Sequence, residues 1–579
     1  MKKNFQVALT SVLVIGSGAA GLRAAIAAYE AGQPVLVIGK SIRRDAHTVL
    51  AAGGINAVLG TVDPQDSWQQ HFADTFIESY SLADPRTVEL MVKEAPRAID
   101  ELVRYGLPFA RTADGRIDQR FFGAHKYRRT CYVGDYTGRA VLYALADRVD
   151  ALQIPVLEHQ YVTRLLVADG RCFGALAFDV QTGERTVYLA KSVVLATGGH
   201  TRLWQRSSSR ADENTGDGMY LALLAGVELA DMELVQFHPT GMVAPENIAG
   251  TLVTEAVRGE GGHLLNSLGE RFMARYDAER MELSTRDRVA LANYTEIIEG
   301  RGGPNGGVFL DISHRSKDYI LEKLPRMYQQ FMEYQGLDIS QSPMEVAPTA
   351  HYSMGGVVVE PETHATTVAG LYAAGEVTSG LHGANRLGGN SLAETVVFGR
   401  RAGEAAAQFA RAAANMRHDA VIASALDDLA SLEKPGSEAG RDVEMRLRTL
   451  LWEHCGVVRD EARLTAGLQK LADLRAAAAS VNVQPERDTY RSLALAMDLQ
   501  ASLMTAEATM RGALARRESR GAHQRADYPA LDPALAVNFR IRLADGTQQI
   551  RPVPVNPVPA ELLPYLSESE MSLKGRLLE

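Results

Sequence analysis

Apolar positions near the start of the chain form two short continuous runs. Residues 12–15 and 35–38 both read Val-Leu-Val-Ile without a polar interruption, as expected for parallel strands that are covered on both faces. Between them lie Gly16-Ser17-Gly18-Ala19-Ala20-Gly21 and an alanine-rich segment that ends at Gly32. Glycines between a strand and a helix let a pyrophosphate lie against the helix N-terminus. The pattern therefore predicts a β-α-β unit that binds a dinucleotide.

The end of the second strand departs from the usual dinucleotide-binding pattern. An acidic residue normally stands there and holds a ribose hydroxyl, but this strand ends in Gly39-Lys40. Two interpretations of Lys40 remain open, namely a cation close to the pyrophosphate and a solvated surface lysine.

Further along the chain, the periodicity predicts an amphipathic helix over residues 84–105 and a further buried strand from residue 193. That strand runs into Ala196-Thr197-Gly198-Gly199, so its glycines can approach the same dinucleotide. A tight turn at residues 215–218 starts another alanine-rich helix, for which Asp217 is a candidate N-cap or cofactor contact.

The remaining pattern predicts four further parts of the chain. Residues 240–345 hold charged helices, loops and a strand at 307–310, and residues 368–375 read as a strand that returns to the first domain. Amphipathic helices follow from residue 411, and then a hairpin with an Asp545-Gly546 turn. We predict an α/β fold with a Rossmann-like dinucleotide-binding domain, an inserted α+β capping domain, a helical bundle and a β-hairpin tail. The predicted boundaries are 1–239 and 346–410 for the two parts of the first domain, 240–345 for the cap, 411–530 for the bundle and 531–579 for the tail.

Composition limits the possible functions. The chain has 579 residues, 23% charged residues and a net charge of -9, which argues against nucleic-acid binding. Three separated cysteines without a C-x-x-C pair argue against a cysteine-bound iron–sulfur cluster or zinc site within this chain. No apolar stretch is long enough to span a bilayer. We expect a cytoplasmic protein without a metal of its own that reaches a membrane only through partner subunits.

Candidate chemistry lies in separated polar motifs. His47-Thr48 precedes Gly53-Gly54, where backbone can approach a flat ligand because no side chain intervenes. Arg side chains can clamp carboxylates through two hydrogen bonds, so the later motifs predict a cationic pocket for a small dianion. These motifs are His238-Pro239-Thr240-Gly241, Thr254-Glu255-Ala256-Val257-Arg258, Arg286-Asp287, His351-Tyr352-Ser353 and Ala384-Asn385-Arg386-Leu387-Gly388-Gly389-Asn390-Ser391-Leu392.

These motifs, together with Arg517-Glu518-Ser519-Arg520-Gly521-Ala522-His523, resemble the flavoprotein subunit of succinate dehydrogenase and fumarate reductase almost end to end. The resemblance implies FAD, with covalent attachment through His47. It implies dicarboxylate binding by His238, Thr254, His351 and Arg386, and proton transfer by Arg286 relayed through Glu255 and Arg258. The implied cofactor contacts are Gly16, Gly18, Ala19, Ala20, Gly21, Lys40, His47, Thr48, Gly53, Gly54, Ala196, Thr197, Gly198, Asp217, Glu376, Asn390, Ser391 and Leu392.

Two segments depart from the family pattern. Arg44-Asp45-Ala46-His47-Thr48 replaces the usual Arg-Ser-His-Thr, so the attachment histidine is present in an altered context. Phe122-Gly123-Ala124-His125-Lys126 replaces Phe-Gly-Gly-His-Ser, so we expect an altered local backbone there.

Three other functions agree less well with the same residues. L-aspartate oxidase resembles this chain but lacks the attachment histidine and carries a glutamate where Phe122 stands, and adenylylsulfate reductase also lacks the histidine. A buried substrate ammonium without a counter-charge is costly. An inactive flavin-binding scaffold would not need the complete set of histidines and arginines.

The resemblance implies a CH–CH oxidoreductase that moves hydride between succinate and FAD, in a direction that the sequence leaves open. The reduced flavin must pass its electrons on, and the resemblance implies that they go to a separate iron–sulfur subunit. It also implies a membrane anchor subunit that has a quinone site.

Overall fold

The computed structural model describes residues 5–485 and 489–566. The helices are α1 Ala19–Glu30, α2 Trp68–Glu78, α3 Pro85–Arg104, α4 Thr137–Ala151, α5 Asp217–Leu224, α6 Ala256–Gly259, α7 Met273–Tyr276, α8 Arg286–Glu296, α9 Lys317–Lys323, α10 Pro325–Gln335, α11 Asn390–Ala412, α12 Asp419–Leu432, α13 Gly440–His454, α14 Glu461–Ala479 and α15 Arg491–Ala515. The strands are β1 Gln6–Ile15, β2 Val35–Ile38, β3 Ile55–Asn56, β4 Gln119–Arg120, β5 Thr130–Cys131, β6 Val156–Leu157, β7 Gln160–Ala168, β8 Arg171–Asp179, β9 Arg185–Leu195, β10 Leu229–Ala230, β11 Val235–Met242, β12 His263–Leu265, β13 Val308–Asp311, β14 Met344–Ser353, β15 Gly356–Val357, β16 Leu371–Ala373, β17 Val458–Arg459, β18 Gln524–Arg525, β19 Val537–Ala544 and β20 Thr547–Pro554.

The central sheet carries the predicted β-α-β unit. Its strand order is β6-β2-β1-β9-β8-β7, and β16 also pairs with β9. The apolar run at residues 12–15 is almost fully buried, with exposures of 0–4%, because β1 is paired in parallel on both sides. β1 begins earlier than predicted, at Gln6, because its more exposed first half also pairs with β9.

The returning strand was predicted from residues 368–375. It is β16, which pairs in parallel with the last three residues of β9. The carboxyl ends of β1, β9 and β16 therefore lie side by side, and this edge of the sheet is where a ligand binds in open α/β folds.

A second sheet, in the order β11-β14-β13-β12, supports the inserted segment. The predicted strand near residue 307 lies between β12 and β14. β11 and β14 pair with each other and run across the predicted boundaries after residues 239 and 345. Continuous strands thus connect the insertion to the first domain, and the exact domain boundaries stay a prediction.

The C-terminal part contains the predicted helices and hairpin. α12 to α15 share one apolar core with β7, β8 and the strand β11. The hairpin β19-β20 pairs with β10, so it extends the sheet that β10 forms with β15. Within the two described ranges, no helix combines the length and the apolar character needed to cross a membrane.

A buried ionic cluster joins α15 to β10. Arg516 follows α15, and its guanidinium lies 2.8 Å from Glu233, 3.3 Å from Asp231 and 3.2 Å from Glu518. Burial and the neighbouring Glu233 raise the pKa of Asp231 to about 7. Since these carboxylates are shielded from water, their charge is tolerated only while the arginine remains.

We predict that Arg516→Gln lowers the free energy of unfolding by about 3–5 kcal/mol, because it leaves buried carboxylates without their counter-charge. Arg517→Gln is the matched control, since the neighbouring side chain is 59% exposed. Thermal and urea unfolding of FAD-loaded protein, followed by circular dichroism, measures both variants. Equal unfolding midpoints for the two variants would contradict the proposed role of the cluster.

Candidate active site

One cleft along the carboxyl edge of the central sheet brings most of the predicted residues together. Gly21, Arg258 and Asn390 are the predicted residues that do not line it. Its lining includes Gly16, Gly18, Ala19, Ala20, Lys40, His47, Thr48, Gly53, Gly54, Ala196, Thr197, Gly198, Asp217, His238, Thr254, Glu255, Arg286, His351, Glu376, Arg386, Ser391 and Leu392.

The turn between β1 and α1 requires glycine for close backbone packing. Gly16 has a φ of +112°, and a Cβ atom there would lie 2.1 Å from the carbonyl oxygen of Ala196. A Cβ atom on Gly21 would lie 1.8 Å from the carbonyl oxygen of Gly16. Gly21 therefore packs α1 against the turn from behind the cleft, while Gly18 caps α1 at the cleft.

This part of the cleft fits a flavin dinucleotide. The N-terminus of α1 opens onto the cleft, and a pyrophosphate binds well at such a position because backbone N–H groups and the helix dipole favour an anion. Across the cleft, the hydroxyl of Thr197 is buried and has no hydrogen-bond partner among the described residues. A bound FAD would satisfy it.

Lys40 is not a solvated lysine. Its Nζ atom lies 3.2 Å from Asp217 and 3.0 Å from Asp498. Burial opposes its charge, but the two carboxylates raise the pKa of Lys40 above its usual value. Asp217 is not the N-cap of α5, because Gly216 occupies that position, and its carboxylate instead pairs with the lysine.

His47 begins a short 3-10 turn, His47–Leu50, that borders the cleft. The turn is tied to α1 because the backbone N–H of Ala19 donates to the hydroxyl of Thr48 over 3.2 Å. Nδ1 of His47 lies 2.8 Å from Oε2 of Glu213. Burial lowers the pKa of His47, but the glutamate outweighs it and the net shift is upward.

Two arginines meet at the far end of the cleft around Gln236. Nη1 of Arg286 donates to the side-chain oxygen of Gln236 over 3.1 Å, and Nη2 of Arg386 donates to the same oxygen over 2.9 Å. Arg286 also pairs with Glu255 at 2.8 Å, and Arg386 donates to Ser391 over 3.1 Å. Burial and the neighbouring Arg286 lower the pKa of Arg386 to about 9. The two arginines repel one another, so an anion between them would be stabilised.

Two buried histidines face the arginines. The rings of His238 and His351 lie 5.3 Å apart, edge to face. Nδ1 of His238 bonds to the backbone of Thr240, and Nδ1 of His351 lies 2.9 Å from the hydroxyl of Ser208. Burial, reinforced by nearby cations, holds the pKa of both rings well below the usual histidine value. Both rings are therefore neutral, and Nε2 of each remains for a substrate oxygen.

Glu255 connects the site to a buried arginine behind it. Its carboxylate accepts from the backbone N–H of Gly123 over 3.3 Å and lies 3.8 Å from Nη2 of Arg258. Although burial opposes its charge, Arg286 and Arg258 hold the pKa of Glu255 well below its usual range. Arg258 lies outside the cleft and donates to the carbonyl of Glu282 over 2.6 Å.

The second departure from the family pattern places an alanine in a left-handed backbone conformation, and the altered backbone itself stays a prediction. Ala124 has a φ of +66°, a conformation that glycine adopts at lower cost than alanine. Phe122 lines the cleft and is 4% exposed, so an apolar ring stands where a carboxylate would face a substrate ammonium.

Of the predicted cofactor contacts Glu376 and Asn390, the first lines the cleft and the second lies behind its lining. Glu376 lines the cleft, and burial raises its pKa to about 6. Asn390 lies behind the lining, where its amide donates to Thr75 and accepts from Asn56 over 2.9 and 2.7 Å. It therefore holds the start of α11 in place, and its predicted contact with the cofactor stays a prediction.

The sequence reasoning missed Gln236, Glu213 and Asp498. Gln236 stands two residues before His238 on β11, so the alternation of a strand could have placed it on the same face. Glu213 and Asp498 lie 166 and 458 residues from their partners, and no local pattern indicates them.

Comparison with known proteins agrees with this geometry. The family described as FAD binding domain matches residues 11–392, and the family described as fumarate reductase flavoprotein C-term matches residues 444–561. The chain is 45% identical over 524 residues to one of the subunits of the fumarate reductase (CoM/CoB) of Methanothermobacter marburgensis, covering 90% of this chain and 95% of that protein. It is 38% identical over 544 residues to the succinate dehydrogenase flavoprotein subunit of Rickettsia bellii, covering 90% of each.

The fold of the chain also matches that of a solved structure. The chain matches the Mycobacterium smegmatis Sdh1 complex in the apo form with a TM-score of 0.88 and 40% identity, over 98% of both chains. This match confirms the predicted fold. The chain therefore belongs to the flavoprotein subunits of succinate dehydrogenase and fumarate reductase, and it is an FAD-dependent oxidoreductase.

Proposed function

We propose that this chain interconverts succinate and fumarate at the end of the cleft where Arg286 and Arg386 meet. The observation that carries the proposal is their shared contact with Gln236, beside two neutral histidines. Two fixed cations with directed donors suit a small dianion. FAD, when bound, supplies the acceptor or donor for the hydride.

The glycine-lined part of the cleft would hold the FAD. The turn at Gly16 and Gly18 presents the N-terminus of α1, which would hold the pyrophosphate, and Thr197 would offer a hydroxyl. The remaining proposed cofactor contacts are Ala19, Ala20, Lys40, His47, Thr48, Gly53, Gly54, Ala196, Gly198, Asp217, Glu376, Ser391 and Leu392. We propose that His47 also forms a covalent bond to the flavin.

The dicarboxylate is held by Arg386, His238, His351 and Thr254. The guanidinium of Arg386 can donate two parallel hydrogen bonds to one carboxylate, and its Nε atom is buried without a partner among the described residues. The two histidines donate to the remaining oxygens through Nε2, because their Nδ1 atoms are already bonded to the protein. Because Arg386 and the two histidines hold the carboxylates, Arg286 can exchange the proton with the substrate.

Arg286 exchanges the proton with the substrate carbon, and Glu255 connects it to Arg258. The pair of contacts from Nε and Nη2 of Arg286 to Glu255, at 2.9 and 2.8 Å, fixes the guanidinium plane. An ionised carboxylate can accept a proton from one arginine and return one to it. Since Arg258 lies behind the site, the relay leads away from the substrate.

Electrons leave through a partner. The support is that the similar proteins of Methanothermobacter marburgensis and Rickettsia bellii are named as subunits. Among the described residues, no cluster of histidine, cysteine or carboxylate side chains could hold a metal ion. The acceptor that we propose is an iron–sulfur subunit, with a membrane anchor subunit and quinone beyond it, so that the chain is peripheral on the cytoplasmic face of the membrane.

The first prediction concerns substrate choice between this function and L-aspartate oxidation. We expect succinate oxidation with an artificial acceptor and a kcat/KM for L-aspartate at least about a hundredfold lower, because Phe122 leaves a buried ammonium unpaired. Steady-state assays on the FAD-loaded chain measure both. Comparable values for the two substrates would contradict the proposed specificity.

The second prediction concerns carboxylate binding. Arg386→Lys keeps a positive charge but loses the planar fork, so we expect kcat/KM for fumarate to fall about tenfold or more, equivalent to about 1.4 kcal/mol. FAD content, measured by absorbance, should stay unchanged. Arg417→Lys is the control, since this arginine is 48% exposed and does not line the cleft. An unchanged kcat/KM in Arg386→Lys would give the arginine a structural role only.

The third prediction concerns the proton. Arg286→Ala should lose turnover by a factor of about 10²–10⁴, while the affinity for malonate, a dicarboxylate that cannot react, falls much less. Arg288→Ala is the control on the same helix, because this side chain pairs with Asp277. Malonate titration beside steady-state rates separates the two effects. Normal turnover in Arg286→Ala would transfer the proton role to another group.

A further inference from the structure

Glu213 stands in a loop between the central sheet and α5, and it reaches the turn that carries His47. Oε2 of Glu213 lies 2.8 Å from Nδ1 of His47, and the glutamate side chain is 9% exposed. Buried carboxylates are retained where a cation or a hydrogen-bond donor compensates them. The histidine is such a donor, so the contact defines which ring nitrogen carries the proton.

Arg210 holds the glutamate from the other side. Its Nη1 atom lies 3.4 Å from Oε1 of Glu213 and 2.8 Å from Asp45. Asp45 belongs to the segment that departs from the family pattern before His47. The altered context of the histidine is therefore part of a connected group of charges, in which Asp45, Arg210, Glu213 and His47 contact one another in sequence.

The charges reinforce this arrangement. Although burial opposes ionisation, His47 and Arg210 lower the pKa of Glu213, so the carboxylate remains charged. A charged carboxylate accepts the Nδ1–H of the imidazole, and in the neutral ring Nε2 then carries the lone pair. Nε2 is consequently the nucleophilic nitrogen of His47.

We propose that Glu213 is a positioning residue that directs Nε2 of His47 to form the covalent bond with FAD. The inference rests on the proposed attachment through His47 and adds the group that selects the nitrogen and stabilises the positive charge that develops on the ring. Arg210 keeps Glu213 in place and ionised.

The bond formation balances in atoms and electrons. Nε2 of His47 contributes its lone pair to a new bond with the ring methyl carbon of the flavin, and one C–H bond of that methyl group breaks. The methyl hydrogen leaves as a proton, and the Nδ1 proton passes to Glu213. The C–H electron pair remains on the flavin, which is then reduced by two electrons and takes up two protons. Fumarate reoxidises it and becomes succinate.

The test measures attachment, not activity. The apo chain is mixed with FAD and fumarate, and covalent flavin is followed by fluorescence in a denaturing gel and by mass spectrometry of the peptide containing His47. Total bound FAD is measured by absorbance before denaturation. The variants are Glu213→Gln, which loses the charge, Glu213→Asp, which keeps it on a shorter chain, and His47→Ser, which cannot form the bond. Glu184→Gln is the control at an exposed glutamate.

We expect every variant to bind FAD at the wild-type level. Attachment in Glu213→Gln should be slower by about tenfold or more, attachment in Glu213→Asp should lie between that rate and the wild-type rate, and the control should match the wild type. A wild-type attachment rate in Glu213→Gln, or equal attachment rates in Glu213→Gln and Glu213→Asp, would overturn the role of Glu213. Neither result would overturn the covalent attachment through His47. An unmodified His47 peptide in the wild-type chain would overturn the covalent attachment itself, while the succinate and fumarate assays test the reaction independently.

Discussion

Contact of backbone with backbone at the carboxyl edge of the central sheet is the constraint on which the rest of the structure depends. β1 and β9 are paired in parallel, and the turn after β1 lies so close to Ala196 that Gly16 cannot carry a side chain. The turn therefore brings backbone, with the N-terminus of α1, to a space in the cleft that glycine and alanine residues largely line. The flavin site, the turn at His47 and the strands leading to the cap are all placed relative to this space.

The opposite end of the cleft depends on balanced charge. Arg286 pairs with Glu255, whereas the direct contacts of Arg386 are with the uncharged side chains of Tyr352, Gln236 and Ser391. An interior site with excess positive charge is unfavourable without a ligand and becomes favourable when a dianion enters. His238 and His351 lie on the paired strands β11 and β14, which hold both histidines beside the two arginines.

Particular elements show what could be predicted. The β-α-β unit, the strand returning at β16 and the hairpin β19-β20 were predicted because apolar runs and glycine turns report local structure directly. The pairing of the hairpin with β10 could not be predicted, since the two segments lie more than 300 residues apart in the chain. Lys40 could not be assigned because its partner Asp498 lies 458 residues away in the chain.

By itself, the sequence determined the secondary structure of the nucleotide-binding unit, the family and the residue types able to bind a flavin and a dicarboxylate. These follow from short-range periodicity and from motifs whose residues are close in the chain. Only the tertiary structure decided that Gln236 joins the two arginines, that Asp498 compensates Lys40 and that Glu213 faces His47. Such pairings depend on the path of the whole chain, because a buried charge is stable only beside a partner that folding brings to it.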